Sequence, residues 1–241
     1  MLKFLAIGVV LLFSCGNENG MDITNNESVT NNSASILTET SDSIPKTEIP
    51  NEEISNHTEE NGILIEFQDF KMQIDTLEIW NESNTISATN DTAHVMLGLG
   101  FGIEGNRVKV YSDKNLEFNI YQRYETSITI MNEGPHCDLN NWKHYYSDWK
   151  KINVSNNRFI ADSYNIEERE TFLEVNMKEV QVEVQKQCGD RWSELLDGVN
   201  SVDEYPCGVG ISCIYFKIVY SPVDSDISTT KFVAFEVPMG C

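Results

Sequence analysis

The chain has few basic residues. It contains 17 Lys and Arg against 38 Asp and Glu, which gives a formal net charge of -21. Neutralising nucleic acid phosphates requires a basic surface, so this composition argues against a nucleic acid partner. The chain also lacks a G-x-S-x-G elbow, and no carboxylate pair stands out among its acidic residues. The sequence therefore gives no support to enzyme activity, although a site formed by residues distant in sequence stays open.

A long apolar run is missing as well. The uncharged apolar stretch after Lys3, residues 4–13, falls well short of the roughly 20 residues that a membrane-spanning helix needs. One basic residue followed by a short apolar stretch is typical of an export signal. We therefore interpret residues 1–14 as a signal peptide.

The end of this signal, Leu12-Phe13-Ser14-Cys15-Gly16, resembles the lipobox of bacterial lipoproteins. An aliphatic residue stands three places before the cysteine, a small residue directly before it and a glycine after it. The resemblance implies cleavage before Cys15 and several acyl chains on that residue, which would anchor it to a membrane permanently. It also implies a cell-envelope location, at the periplasmic face of an outer membrane or at the cell surface in a Gram-negative bacterium. The alternative is an ordinary secreted protein in which Cys15 is one more thiol.

The segment that follows, residues 15–62, has the composition of a tether. After Cys15 it contains no aromatic residue and no cysteine, and ten acidic residues accompany the single Lys46. Such a segment cannot bury enough apolar surface to offset the entropy of ordering it. We expect a disordered, acidic, lipid-anchored tether.

Residues 63–241 have the pattern of a single β-rich domain. Apolar side chains recur with a period of two, and clusters of Asn, Gly, Asp and Ser separate the runs. This predicts a mainly β fold, an antiparallel sandwich or a partly open barrel, with one or two short helices. The runs are Ile63, Ile65 and Phe67; Val108 and Val110; Leu116, Phe118 and Ile120; Ile128 and Ile130; Val180, Val182 and Val184; Ile214, Phe216 and Ile218; and Val233, Phe235 and Val237.

Two segments show helical spacing instead. Asp190 could cap a helix whose apolar residues are Trp192, Leu195, Leu196 and Val199. The aromatic group Trp142, Tyr145, Tyr146 and Trp149 follows the same spacing. We interpret this group as an apolar helix face that packs on the sheet. The alternative is a platform for stacking sugar rings, completed by neighbouring lysines.

The motif from Gly100 to Gly105 matches the dinucleotide pattern G-x-G-x-x-G, but its context does not. That pattern requires a helix to begin at the glycines, whereas the residues after Asn106 alternate as a strand. We therefore predict a hairpin that turns at Gly105-Asn106, and we expect no cofactor.

Two clusters are weak metal candidates. His136, Cys137, Asp138 and His144 carry zinc-ligand chemistry, but adjacent residues point in different directions and no second ligand pair is present. Asp224 and Asp226 have the spacing of calcium ligands. Their segment lacks the glycine and the distal glutamate of a calcium loop, so a polar hairpin loop is the expectation. We predict no bound metal.

The cysteines beyond Cys15 are odd in number: Cys137, Cys188, Cys207, Cys213 and Cys241. An exported protein with this set should form two disulfides and either keep one thiol or use that thiol between molecules. Our preferred pairs are Cys188 with Cys207 and Cys137 with Cys241, with Cys213 as a buried free thiol.

We expect a non-enzymatic envelope lipoprotein whose domain binds another envelope protein, a glycan or a small ligand. Two alternatives stay open: an envelope hydrolase, and a module that binds calcium or another cation. A deep pocket lined by His136, His144 and carboxylates would favour the hydrolase. A flat aromatic patch would favour the binding domain.

Overall fold

The computed structural model of the protein describes residues 62–239, which belong to one compact unit and form twelve strands and three helices. The strands are β1 (Ile63–Glu66), β2 (Lys71–Ile74), β3 (Thr85–Ser87), β4 (Thr92–Met96), β5 (Arg107–Tyr111), β6 (Leu116–Ile130), β7 (Cys137–Asp138), β8 (Tyr145–Tyr146), β9 (Lys150–Ile152), β10 (Arg158–Ile160), β11 (Cys207–Pro222) and β12 (Thr229–Glu236). The helices are α1 (Ile166–Arg169), α2 (Met177–Cys188) and α3 (Asp190–Glu194).

The strands form two mixed sheets. The five-stranded sheet has the order β10-β5-β2-β1-β3, in which β1 and β3 are parallel. The seven-stranded sheet has the order β4-β12-β11-β6-β7, with β8 and β9 also paired to β6. In that sheet β12 and β4 are parallel, and the long strands β6 and β11 are antiparallel.

The core lies between the two sheets and consists of the apolar side chains that alternation directs inward. Phe216 on β11 is fully buried there, with edge-to-face contacts to Phe159 at 5.4 Å and to Phe235 at 5.1 Å between ring centroids. The predicted fold class is confirmed: the domain is a mainly β sandwich with short helices.

A second, smaller core joins α2 and α3 to one end of the seven-stranded sheet. Val180 and Val184 of α2 are fully buried in it, whereas Val182 is 63% exposed. The strand predicted for these three valines is therefore wrong. The helix predicted after Asp190 is present but shorter than predicted, since α3 begins at Asp190 and ends at Glu194. Its N-cap is Gly189 rather than Asp190.

The helix predicted for residues 142–149 is also wrong, because Tyr145 and Tyr146 form β8 and pair with β6. A turn does occur at Gly105, where φ is 74°. It is not a hairpin, however, since β4 and β5 belong to different sheets and the turn carries the chain between them. Asp224 and Asp226 lie in the loop between the antiparallel strands β11 and β12, as expected of a polar hairpin loop.

Several predictions lie outside residues 62–239. These are the signal peptide, the lipid on Cys15, the tether up to Asn61 and any bond formed by Cys241. Within the described range, no helix is long and apolar enough to cross a membrane.

Candidate functional site

The seven-stranded sheet has an outer face, opposite the core, on which the strand register aligns side chains from distant parts of the chain. Paired residues on neighbouring strands project from the same face. We define two rows across this face. The acid row contains Tyr146, Glu125, Cys213, Glu236 and Met96. The next row contains Arg123, Tyr215, Ala234 and His94.

Glu125, Cys213 and Glu236 of the acid row form the floor of a half-open cleft of about 540 Å³. Trp80 and Met96 line one side, and residues 237–239 line another. Asp138, Asn140 and His144 contribute from the loop around β7. A volume of this size falls within the range of small-molecule sites, about 300 to 1,000 Å³.

A β-bulge in β11 shapes the cleft. The register between β11 and β6 shifts between Ile211 and Cys213, so Ser212 is an extra residue. Its carbonyl accepts a hydrogen bond of 2.9 Å from the Val237 amide. This bond holds the first residue of the wall that residues 237–239 form. A Cβ atom at Gly210 would lie 3.1 Å from the Met239 methyl group, so the wall can approach β11 closely because this residue is glycine.

Glu125 is the most enclosed acid of the cleft, with its side chain 8% exposed. The Tyr215 hydroxyl donates to Glu125 Oε2, and Ser212 Oγ lies 3.5 Å from Oε1. His144 Nδ1 lies 2.6 Å from Oε1, without the alignment of a hydrogen bond. Burial raises the pKa of Tyr215, which keeps its hydroxyl protonated as a donor.

Cys213 lies between Glu125 and Glu236 in the acid row. Burial raises the pKa of this thiol to about 12. Because the thiolate is the nucleophilic form, this burial disfavours reaction of Cys213 at neutral pH. Glu236 is more accessible and its carboxylate lies 3.0 Å from Nδ1 of His94 at the rim.

Beside the cleft, aromatic rings surround two cations. The Arg123 guanidinium carbon lies 4.7 Å from the Tyr146 ring centroid, 4.5 Å from that of Trp149 and 5.2 Å from that of Tyr215. Lys217 Nζ lies 4.6 Å from the Trp149 centroid and 4.4 Å from that of Tyr121. We call these six residues the cation cluster.

The structure separates the predicted aromatic group. Trp142 packs against the smaller core and Tyr145 against the larger one, as the core interpretation expects. Tyr146 and Trp149 instead belong to the cation cluster on the outer face.

The histidine and cysteine cluster is divided as well. Cys137 is bonded to Cys188 and offers no thiolate, and His136 donates to the Met239 carbonyl at 3.2 Å. Asp138 and His144 do reach the cleft, where Asp138 accepts a hydrogen bond of 2.5 Å from Thr129. Between residues 62 and 239, no group of three His, Cys, Asp or Glu residues is arranged to hold a metal ion.

The preferred disulfide pairs are both wrong, because Cys137 and Cys188 are bonded to each other. Cys207 and Cys213 are buried free thiols, so the expectation for Cys213 agrees with the structure. Burial raises the pKa of Cys207 to about 11.

Sequence reasoning missed the residues that define the outer face: Trp80, Glu125, Glu236, Arg123 and Lys217. The sequence did contain a signal for the two cations. Tyr121 and Arg123 are two residues apart on β6, and Tyr215 and Lys217 are two residues apart on β11, so each pair shares a strand face. The acids carried no such signal among the many carboxylates of the chain. Comparison with protein families, curated proteins and solved structures finds no match to the chain.

Proposed function

We propose that the chain is a lipid-anchored protein of the bacterial cell envelope whose domain binds a saccharide without chemically changing it. The observation that carries the proposal is the half-open cleft on the outer face, which an exposed tryptophan and several hydrogen-bonding side chains line together. The anchor rests on the lipobox-like sequence that ends at Cys15.

The cleft combines the two kinds of contact that saccharides need. Trp80 is 52% exposed and offers an aromatic surface for the C–H face of a sugar ring. Glu236, Asp138 and Asn140 offer acceptors and donors for hydroxyl groups. The floor is already organised, because Tyr215 holds Glu125 in place.

The test is binding of the full chain, solubilised in detergent, to an array of bacterial and host glycans. We expect the array to identify ligands, and Trp80→Ala and Glu236→Gln to weaken their binding at least tenfold. Tyr205→Ala is the control, because Tyr205 is 73% exposed and does not line the cleft. The proposal is wrong if no glycan binds, or if both cleft variants bind as the parent does.

The anchor has its own test. The parent should incorporate a labelled fatty acid and partition into detergent, and Cys15→Ala should lose both properties. A parent without acyl mass would refute the anchor and leave the cleft proposal standing.

One observation favours a second candidate, hydrolysis of a bound glycoside. Glu125 and Glu236 lie on the cleft floor with one strand between them, so their backbones are about 10 Å apart by two interstrand spacings. Two carboxylates that flank a glycosidic bond are the usual machinery of its hydrolysis. Release of reducing ends that is lost in both Glu125→Gln and Glu236→Gln would establish hydrolysis in place of simple binding.

A further inference from the structure

The cation cluster places positive charge beside the cleft without an acidic partner. Two lysines near the cation cluster are paired: Lys150 with Asp162 at 2.8 Å, and Lys231 with Asp91. In the described part of the chain, neither Arg123 nor Lys217 forms an ion pair with a carboxylate. In a protein with a net charge of -21, two such cations on one sheet face need an explanation.

Stacking on aromatic rings does not use the hydrogen-bond donors of these cations. Rings contact the flat faces of a guanidinium, whereas its N–H groups lie in the plane and match the oxygens of a carboxylate or sulfate. Arg123 Nε is buried and has no hydrogen-bond partner among residues 62–239. Arg123 is half-buried, and its two terminal nitrogens donate to no residue in that range.

The cation cluster is continuous with the saccharide cleft. Arg123 and Glu125 project from the same face of β6 two residues apart, about 7 Å along the strand. Tyr215 belongs to both places, since its hydroxyl donates to Glu125 and its ring faces Arg123. A saccharide unit in the cleft would therefore direct a neighbouring unit or substituent toward the two cations.

We propose that Arg123 and Lys217 bind the carboxylate or sulfate group of an acidic saccharide that occupies the cleft. This inference rests on the proposed function and names the class of its ligand. Charge complementarity selects an anion, and the partly exposed rings of Tyr146 and Trp149 supply stacking surfaces for the sugar that carries it.

The experiment is a glycan array with four groups of saccharides: uronic acid oligosaccharides, their methyl esters, sulfated saccharides and neutral saccharides. The detergent-solubilised full chain should bind one of the acidic groups at least tenfold more strongly than the neutral saccharides. If that group is the uronic acids, their methyl esters should lose the advantage. This comparison needs no variant and so does not depend on whether a variant folds.

Variants then locate the preference. Arg123→Gln and Lys217→Gln should each remove the acidic advantage, whereas Lys109→Gln should keep it. Lys109 is the matched control because its Nζ lies 4.5 Å from the Tyr111 centroid, in the other sheet. Melting curves of each variant verify the fold.

Three results would overturn the inference. If only neutral saccharides bind, in a manner that depends on Trp80, the proposed function stands and the acidic ligand is wrong; if nothing binds, both proposals fail. An acidic preference that persists in the folded double variant Arg123→Gln/Lys217→Gln would place the anion elsewhere.

Discussion

Replacing Cys137 and Cys188 together with alanine should destabilise the domain strongly. Cys137 begins β7 at the edge of the seven-stranded sheet, and Cys188 ends α2. Their Cα atoms are 6.1 Å apart, and the bond closes a loop across a sequence separation of 51 residues. The bond therefore fastens the helical layer to the sheet, and its loss frees a large loop in the unfolded chain.

The magnitude follows from the loop length. In the chain-entropy treatment, a loop closed across a separation of 51 residues contributes about 4 kcal/mol to the free energy of unfolding. A domain of this size loses roughly 2 to 4 °C of melting temperature per kcal/mol, so the double variant should melt roughly 8 to 16 °C lower. Lost packing of the buried Cys137 side chain would add to this shift.

Thermal unfolding measured by circular dichroism, with and without reductant, is the assay. Reductant should lower the melting temperature of the parent to near that of the double variant and leave the double variant unchanged. Cys207→Ala is the control, since Cys207 is a free thiol that packs in the same small core. A double variant that melts within 2 °C of the parent would refute the reasoning, as would peptide mapping that links Cys188 to another cysteine.

Three further predictions concern the core, the thiols and the N-terminal segment. Phe216→Ala should lower the free energy of unfolding in urea by about 3 to 5 kcal/mol, because Phe216 is fully buried. Phe101→Ala should lower it far less, because Phe101 is 44% exposed. Equal losses in the two variants would contradict the described core. The pKa of Cys213 is about 12, against a usual value of 9.0, so the stability contributed by the protonated thiol is present below pH 9 and is lost as pH rises from about 9 to 12. Urea unfolding between pH 7.5 and 11 should therefore show a shallower loss in Cys213→Ala than in the parent, and identical slopes would argue against the shift. A chain that begins at Gly62 should keep the melting temperature of the mature protein, and a fall of more than about 5 °C would show that the preceding residues pack on the domain.

Five of the twelve strands, β1, β5, β6, β11 and β12, could be predicted because alternation is a local consequence of one buried face. Ile214, Phe216 and Ile218 alternate on β11 and are all buried in the core. Alternation gave a wrong strand prediction at Val180, Val182 and Val184, because residues four apart also share a helix face. Only the exposed Val182 distinguishes the two possibilities, and its exposure depends on what packs against the segment.

The cleft could not be predicted, because its floor is assembled by register. Glu125, Cys213 and Glu236 belong to three different strands, and no local pattern records that these strands are neighbours. The wall beside them also depends on the extra residue at Ser212, which sequence periodicity does not reveal. The disulfide pairing was predicted wrongly for a related reason. Closeness along the chain favoured Cys207 as the partner of Cys188, but the fold brings Cys137 next to Cys188.

The bulge at Ser212 indicates that the chain can tolerate a deletion at this position. Ile211 and Ile214 both face the core, and they would still do so by simple alternation if Ser212 were removed, because Cys213 alone would then separate them. The extra residue is therefore dispensable for the core. It contributes the carbonyl that holds Val237 at 2.9 Å, and with it the wall of the cleft. Deleting Ser212 should thus yield a folded protein with an opened cleft, which separates the requirement for folding from the requirement for binding.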